Sequence, residues 1–391
     1  MNTAGVLEQA ESAKGQIIQW RRQVHQWPEL GFEEERTADL AATVLRQLEC
    51  RVRTAVGRTG VVGEVGSGAP VVALRADMDA LPIEEESGLP FASARPGLMH
   101  ACGHDAHVAM LLGAATILST RALPGTVRFL FQPSEESADA EGLSGAARMV
   151  ADGAMDGVAT VFALHVIPEL PTGSIGVRAG AVQASADALH LTVRGRGAHA
   201  AYPHLGRDPI FIAAQLISAL QGIVSRTVDP LAPAVITLGS IHGGTRANII
   251  PESVAISGTI RALDEATRAH LADEIGRVAT VAAALGGECD VDIVRGYPVT
   301  VNDAGAVSIV RAAAADVLGQ GRAVEVEPSM GAEDFSLLAA RAPGCFFRLG
   351  VTPPGGEPTR IHSPRFRLDE DALPLGAALL AACALERLAI G

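Results

Sequence analysis

Three apolar segments in the first half of the sequence are each followed by carboxylate or imidazole side chains, which can bind metal ions or transfer protons. The groups that follow residues 71–76, 127–131 and 159–164 are Asp77 with Asp79, Glu135 with Glu136, and His165. Short apolar runs of this kind predict buried parallel strands. Because ligands bind outside the carboxyl ends of such strands, we expect these groups to meet at one edge of a sheet.

Two other segments carry the remaining donor atoms. Cys102 and His104 come directly before a predicted helix, and His362 follows a loop rich in glycine and proline. Thiolate sulfur, imidazole nitrogen and carboxylate oxygen are donors that suit zinc and neighbouring divalent metals. Adjacent residues beyond a strand end point in different directions, so one carboxylate of the Glu135–Glu136 pair can bind a metal while the other acts as a general base. The pattern predicts metal-assisted hydrolysis.

Cys102 also fits other chemistry. Its position before a helix N-terminus predicts a lowered pKa, which would suit a nucleophile paired with a histidine base as well as a metal ligand. Chelation distinguishes the two, since a thiol enzyme keeps its activity when metal is removed. A metal-binding regulatory protein without catalysis is a third alternative. Against it, the base and the donor positions are all occupied by competent residue types.

Composition excludes several other classes of protein. The 391 residues carry a net charge of −13, and Lys14 is the only lysine, so nucleic acid is not the expected partner. The longest apolar stretch, residues 372–385, is shorter than the ~20 residues that a membrane-spanning helix needs. The N-terminus lacks the apolar run of a signal peptide, and five dispersed cysteines do not form a disulfide framework. We therefore expect a cytoplasmic protein without a membrane partner.

The order of predicted elements indicates an α/β fold with two domains. In residues 1–183 and 297–391 strands alternate with helices, which predicts a catalytic domain built on a largely parallel sheet flanked by helices. Residues 184–296 read β-α-β-β-α-β, the order of a ferredoxin-like module. Its first helix begins at Asp208-Pro209, with a predicted apolar stripe at Ile210, Ala214, Ile217, Leu220 and Val224. An inserted α+β module of this kind suggests a lid or a dimerisation domain.

Four longer strings extend the pattern beyond single residues. Residues 99–105 read MHACGHD, 131–136 read FQPSEE, 197–201 read GAHAA and 330–335 read MGAEDF. In this order they resemble the two-metal aminoacylase-like amidohydrolases. That family includes hippurate, N-acyl-amino-acid and indole-acetyl-amino-acid hydrolases and is related to zinc carboxypeptidases. The resemblance runs from residues 22–32 to residues 362–366, nearly the whole chain.

The resemblance implies a role for each candidate side chain. The residues that it implies as ligands of two divalent cations are Cys102, His104, Glu136, His165 and His362. Glu135 would be the catalytic base, and Asp79 would orient a metal ligand. Asp77 stands where more distant carboxypeptidase relatives carry a histidine ligand, and we leave it out of the metal site. Zinc is the expected cation, with manganese, cobalt or nickel as alternatives.

On the inserted module the resemblance implies contacts with substrate. His199 matches a histidine that stabilises the developing oxyanion and that in relatives can come from the partner subunit, so we expect a homodimer or a higher homo-oligomer. Asn248 and Arg261 match positions that contact substrate. The implied enzyme hydrolyses a linear amide C–N bond in a small N-acyl amino acid, releasing a carboxylic acid and an amino acid. A dipeptidase or carboxypeptidase with the same metal site is the alternative.

Overall fold

A computed structural model describes residues 5–390. The two ends of the chain fold around an eight-stranded sheet, and the middle of the chain folds around a four-stranded sheet. The helices are α1 (Val6–Gln26), α2 (Glu35–Gln47), α3 (His104–Ser119), α4 (Gly145–Ala151), α5 (Pro209–Thr227), α6 (Glu265–Ala279), α7 (Val281–Ala284), α8 (Ala304–Leu318), α9 (Phe335–Ala339) and α10 (Ala372–Ile390). The first eight strands are β1 (Arg51–Thr54), β2 (Val61–Gly66), β3 (Val71–Asp77), β4 (Thr126–Gln132), β5 (Val158–Pro171), β6 (Ile175–Gly176), β7 (Gly180–Gln183) and β8 (Asp187–Arg194). The others are β9 (Ala198–His199), β10 (Ala234–Gly243), β11 (Ile249–Ile250), β12 (Ser253–Ala262), β13 (Glu288–Arg295), β14 (Thr300–Asn302), β15 (Ala323–Val324) and β16 (Gly344–Thr352).

The large sheet has the order β1-β2-β4-β3-β5-β16-β6-β15. Its centre is parallel, since β3 pairs in parallel with β4 and β5, and β5 pairs in parallel with β16. The edge pairs β1–β2, β2–β4 and β16–β6 are antiparallel. The carboxyl ends of the central strands therefore lie along one edge, as the apolar runs predicted.

Helices cover both faces of this sheet, which explains why its central strands are apolar at nearly every position. On one face α1, α3 and α10 pack on one another and on side chains such as Leu74 and Phe162. On the other face α4 and α9 pack on neighbours in the same strands, among them Ala73 and Val161. Successive strand residues point to opposite faces, so a continuous apolar run fills two cores. The predicted α/β fold class is confirmed.

The chain separates into two compact units. The first comprises residues 1–180, 301–327 and 334–391, and the second residues 181–300 and 328–333. The second unit has an antiparallel sheet in the order β10-β12-β8-β13. Helices α5 and α6 pack on this sheet around their own apolar core. The role of the second unit as a lid or dimerisation domain remains a prediction.

The predicted apolar stripe of α5 was wrong. The buried residues are Pro209, Ile212, Ala213, Leu216, Leu220 and Ile223, so of the predicted stripe only Leu220 is fully buried, while Ile217 and Val224 are partly buried against the same core. Ile210 and the adjacent Phe211 are instead about half exposed, at 46% and 54%. Apolar residues surround most of this helix, so their periodicity does not select one face.

Two helices, α5 and α10, are long and apolar enough to cross a membrane by length and composition alone. Helix α10 continues beyond Leu385 to Ile390 and has 19 residues, so the argument that no segment is long enough was wrong. Helix α10 lies largely in the core against α1 and α3, and core helices meet the same criteria. Helix α5 is less buried and packs on the sheet of the second unit.

Candidate metal centre

Five side chains from four separate segments form one group in the first unit, which we call the donor cluster: Cys102, His104, Glu136, His165 and His362. His104 is the first residue of α3, and Glu136 follows the end of β4. His165 lies inside β5 rather than after it, because this strand continues to Pro171. The sequence placed these residues at strand and helix ends, and the fold brings their donor atoms together.

The donor cluster consists of two triads that share one sulfur atom. The ligand atoms of Cys102, His104 and His165 lie within 4.8 Å of one another, and so do those of Cys102, Glu136 and His362. The Sγ atom of Cys102 is 3.3 Å from Nε2 of His165 and 3.3 Å from Nε2 of His362. A thiolate can bridge two cations. Two positions with a common thiolate therefore match a pair of divalent ions.

Hydrogen bonds orient two of the histidines with Nε2 toward the cluster. Nδ1 of His104 donates to the carbonyl oxygen of Asp79 at 2.9 Å, and Nδ1 of His165 donates to the carbonyl oxygen of Val166 at 2.7 Å. A histidine that donates from Nδ1 keeps the lone pair of Nε2 available for a metal. This tautomer is the one that metal binding requires.

Asp79 contacts both triads, as expected for a residue that orients metal ligands. Its Oδ1 atom lies 3.2 Å from Nδ1 of His104, and its Oδ2 atom accepts the backbone N–H of Glu136 at 2.9 Å. The side chain is buried. One carboxylate thus connects the start of α3 to the loop after β4.

Glu135 lies beside the donor cluster and belongs to neither of the triads that share Cys102, although with His104 and Glu136 it forms a further group of possible ligands. One of its carboxylate oxygens is within 4.8 Å of ligand atoms of His104 and Glu136. The side chain is 9% exposed. Its neighbour Glu136 belongs to the triad with Cys102, so the two adjacent glutamates occupy different positions, as predicted. Their roles as base and ligand remain predictions.

Anionic neighbours raise the pKa of two histidines of the donor cluster, whereas burial and the adjacent His107 lower the pKa of the third, His165, well below its ordinary value. Burial lowers the pKa of His104, but Asp77 and Cys102 outweigh it and raise this pKa well above its ordinary value. Hydrogen bonds to Cys102 and Glu136 raise the pKa of His362 to about 10. The same negative potential favours a divalent cation, which competes with protons for these donors.

The thiol of Cys102 corrects one expectation. The sequence predicted a lowered pKa from the helix N-terminus, whereas burial raises the pKa of this thiol despite its proximity to His104. Desolvation disfavours the thiolate by more than the nearby partial charges stabilise it. A buried thiol of raised pKa does not suit a nucleophile activated by a histidine. A bound cation would supply the charge that makes the thiolate stable.

The donor cluster fits divalent metals by one further observation. Nε2 of His104 is buried and has no hydrogen-bond partner among residues 5–390, and it lies 3.7 Å from the nearby Oδ2 of Asp77. A buried polar atom without a partner is costly, so such atoms are rare in folded proteins. Sulfur, nitrogen and oxygen donors around an unpaired nitrogen are the chemistry of a zinc-type site.

Sequence reasoning missed a second buried group beside the donor cluster. Arg75 donates to Oδ2 of Asp77 at 2.7 Å, to Oε1 of Gln132 at 2.8 Å and to Oδ1 of Asp334 at 3.0 Å. We call these four residues the arginine cluster. His107 donates from Nδ1 to Asp77 at 2.5 Å and accepts the N–H of Val166 at Nε2. An arginine inside an apolar strand was the available signal.

The remaining predicted site residues belong to the second unit. His199 is exposed on β9, and its Nδ1 atom accepts the backbone N–H of Ala201 at 3.1 Å, so a neutral ring carries its proton on Nε2. Asn248 is exposed beside β11, and its backbone carbonyl oxygen accepts the backbone N–H of Ala200 at 3.1 Å. Arg261 is part-buried on β12, where desolvation lowers its pKa. Their contacts with substrate remain predictions.

A cavity of about 510 Å³ lies in the second unit beside this strand pair. Residues of β11, the end of β10 and neighbouring loops line it, including Ala200, Gly244, Arg246 and Ile249. Arg246 is exposed. The cavity therefore has a cationic side chain at its wall.

Comparison with known proteins agrees with this geometry. Peptidase family M20/M25/M40 matches residues 73–386. The chain is 43% identical to thermostable carboxypeptidase 1 of Saccharolobus solfataricus, with 93% of this chain and 94% of the relative covered. It is 40% identical to N-acetyl-L-cysteine deacetylase of Bacillus subtilis, with 92% and 85% covered.

One solved structure bears on the cofactor. The Bacillus subtilis YXEP protein, described as a dinuclear metal-binding peptidase of the M20 family, superposes with a TM-score of 0.85 at 34% identity. The alignment covers 97% of this chain and 99% of that chain. Two divalent metals are therefore supported for a chain with two triads of donors. The chain belongs to peptidase family M20/M25/M40 and is a metal-dependent hydrolase of amide or peptide bonds.

Proposed function

We propose that this hydrolase cleaves the amide bond of N-acyl amino acids and releases a carboxylic acid and an amino acid. One observation carries the proposal: two triads of donors share Cys102, and the carboxylate of Glu135 lies beside them without belonging to either. This arrangement combines a two-metal site with a separate general base. It is the combination that water needs to attack an unactivated amide.

The metal ions, when bound, polarise the amide carbonyl and lower the pKa of water so that it is a nucleophile at neutral pH. Cys102, His104 and His165 would hold one ion, and Cys102, Glu136 and His362 the other. Zinc is our first choice because the donor set contains a thiolate and three imidazoles, with manganese, cobalt and nickel as alternatives.

Glu135 moves the proton in this mechanism. Its carboxylate accepts a proton as water adds to the carbonyl carbon, and it then delivers that proton to the amide nitrogen as the C–N bond breaks. The same group thus serves as base and then as acid, and the atoms of one water molecule are divided between the two products. Only 9% of Glu135 is exposed, so the carboxylate faces the donor cluster more than bulk solvent.

His199, Asn248 and Arg261 are proposed to bind substrate. His199 accepts a hydrogen bond at Nδ1, which leaves an N–H at Nε2 to donate to the oxygen that becomes negative. Arg261 has a guanidinium that matches the geometry of a substrate carboxylate. If His199 acts in the site of a second subunit, the active enzyme is a homodimer. We propose such a cytoplasmic homo-oligomer with a small-molecule substrate.

The competing proposal is a dipeptidase or carboxypeptidase with the same metal site. Identity to a thermostable carboxypeptidase favours it, whereas identity to a deacetylase favours acyl substrates. The two differ in the group on the acyl side of the bond. In a dipeptide this group is an aminoacyl residue with a free, charged amine, and in an N-acyl amino acid it is an uncharged acyl group.

A substrate panel with metal analysis tests the proposal. Hippurate, N-acetyl amino acids and dipeptides would be assayed with protein loaded with zinc, manganese, cobalt or nickel, and with protein treated with a chelator. We expect the largest kcat/KM on N-acyl amino acids and complete loss with chelator. Preference for dipeptides would support the competing proposal. Activity that survives chelation would instead indicate a thiol enzyme.

A further inference from the structure

Ser134, the residue before the proposed base, has a strained backbone. Its φ angle is +43°, in the left-handed region that residues with a side chain seldom adopt, and the residue is completely buried. Such strain persists only where surrounding contacts hold it, and it is concentrated at functional sites. The backbone conformation of Ser134 sets the direction in which the side chain of Glu135 points. What holds Ser134 therefore bears on the position of the base.

Glu34 supplies the contact to the Ser134 amide. Its Oε1 atom accepts the backbone N–H of Ser134 at 2.7 Å, and its Oε2 atom accepts the hydroxyl of Thr59 at 2.5 Å. Glu34 itself is completely buried, and burial raises its pKa to about 7. Two hydrogen bonds thus fix both oxygens of this carboxylate. Its orientation is defined from two directions.

Glu34 does not perform the role expected at its position. It occupies the N-cap of α2, where a carboxylate commonly caps the helix, yet it makes no side-chain capping bond. Glu29 caps this helix instead, because its carboxylate accepts the backbone N–H groups of Arg36 and Thr37 at 3.0 Å. The carboxylate of Glu34 is thereby directed away from its own helix and toward Ser134.

Other contacts enclose the same residue. The backbone N–H of Gly145 donates to the carbonyl oxygen of Ser134 at 2.9 Å, and the Ser134 hydroxyl donates to the carbonyl oxygen of Ser137 at 2.9 Å. A Cβ atom on Gly31 would lie 2.3 Å from the Ser134 hydroxyl oxygen, so only glycine leaves room there. Gly31 and Glu34, both before α2, therefore pack against Ser134 in the loop after β4.

We propose that Glu34 is a positioning residue: by fixing the backbone of Ser134 it aims the carboxylate of Glu135. Asp79 fixes the next residue separately, since it accepts the N–H of Glu136. Two acids thus position the two adjacent glutamates, one the base and the other the metal ligand. The inference rests on the proposed function of Glu135.

Separate positioning makes a sharp prediction for kinetics. In Glu34→Ala the loop relaxes at Ser134, and misplacing a catalytic group by about 1 Å costs on the order of 10²-fold in rate. We expect kcat to fall by about that factor while KM and metal content stay at wild-type values, since Asp79 still holds the ligand Glu136. Glu34→Gln keeps an oxygen acceptor for the Ser134 amide and should retain kcat within about threefold of wild type.

Two further variants separate positioning from stability. Glu29→Ala removes the cap of α2 and should lower the melting temperature without lowering kcat, because Glu29 makes no contact with Ser134 among the described residues. Thr59→Val removes one of the two hydrogen bonds that hold the Glu34 carboxylate and should lower kcat by about threefold to tenfold. Thr59→Val decides the question if Glu34→Ala does not fold.

The experiment measures kcat, KM, metal per chain and melting temperature for all four variants and for Glu135→Gln. The inference is overturned if Glu34→Ala keeps wild-type kcat, if Glu34→Gln is as impaired as Glu34→Ala, or if Glu29→Ala loses as much kcat. It is also overturned if Thr59→Val folds with unchanged kcat. An active Glu135→Gln would refute the proposed base itself, whereas an inactive Glu135→Gln with an active Glu34→Ala would refute only the positioning role.

Discussion

The donor cluster and the arginine cluster lie in the same unit and are both buried, yet they differ in how their charges are balanced. In the arginine cluster Arg75 supplies a cation inside the group, and Asp334 also accepts Nε2 of Gln132 at 2.8 Å and the backbone N–H of Ala146 at 3.0 Å. The donor cluster has a thiol, a carboxylate and three imidazoles but neither lysine nor arginine.

This difference indicates which buried polar group is structural and which binds a cofactor. A buried anion must be paired, and Arg75 pairs Asp77 and Asp334 within the protein. The donor cluster leaves Nε2 of His104 without a hydrogen-bond partner among the described residues, and a bound cation would supply that partner. Loss of metal should therefore lower the stability that the donor cluster provides but not that of the arginine cluster, and the second and third of the four predictions below test this.

The largest effect is expected for Glu135→Gln. General acid–base catalysis contributes about 10²–10⁴-fold, so kcat should fall by at least that lower factor while two metals stay bound. Steady-state kinetics with metal analysis measures both quantities. Glu141→Gln, an exposed glutamate six residues away, is the control and should keep wild-type kcat. Loss of metal in Glu135→Gln would instead show that Glu135 is a metal ligand and belongs to the donor cluster.

Breaking the arginine cluster should lower stability whether or not metal is present. Arg75→Met leaves the carboxylates of Asp77 and Asp334 without their cation, and removing one partner of a buried ion pair costs about 3–5 kcal/mol. Urea unfolding with zinc and with chelator measures the change in the free energy of unfolding. Arg51→Met, which breaks an exposed pair with Glu64, should cost less than about 1 kcal/mol. If the effect of Arg75→Met disappears with chelator, the two clusters are not independent.

The donor cluster should show the opposite dependence. At free zinc 100-fold above its Kd, binding stabilises the folded wild-type chain by about 2.7 kcal/mol for each site. Cys102→Ala removes the sulfur shared by both triads, so we expect fewer than two ions per chain and a smaller stabilisation by zinc. Elemental analysis and thermal unfolding with added zinc measure the two. Cys345→Ala, a buried cysteine in β16, should bind two ions. If the Cys102→Ala variant still binds two ions, Cys102 is not a metal ligand.

The smallest effect is expected outside both clusters, in the second unit. Arg261→Ala removes the proposed partner of the substrate carboxylate, and losing a hydrogen bond to a charged group costs about 1.5–3 kcal/mol, or a rise in KM of about 10–150-fold. The KM of hippurate should rise more than that of its amide analogue. Arg277→Ala, on the exposed side of α6, should leave both KM values unchanged. An equal rise for hippurate and its amide would show that Arg261 does not bind the carboxylate.

Much of the site could be predicted because its chemistry is carried by residue type and local position. Cys102, His104, Glu136 and His362 were each visible as donors next to a strand end, a helix start or a loop. These donors lie at one edge of the sheet because the central strands are parallel, and apolar runs such as residues 71–76 predict parallel strands. The fold class follows from the same runs. Arg75 was in view but not interpreted, since its partner Asp334 is 259 residues away.

The sequence alone determined the elements, the types of donor atom and the presence of two adjacent glutamates, Glu135 and Glu136, after one strand, because residue type and periodicity act over a few residues. Only the tertiary structure decided that Cys102 joins two triads, that burial raises the pKa of its thiol, and that Glu34 holds Ser134. These properties depend on contacts between segments as far apart as 260 residues and on exclusion of water. Neither the long-range contacts nor the exclusion of water can be derived from the local sequence.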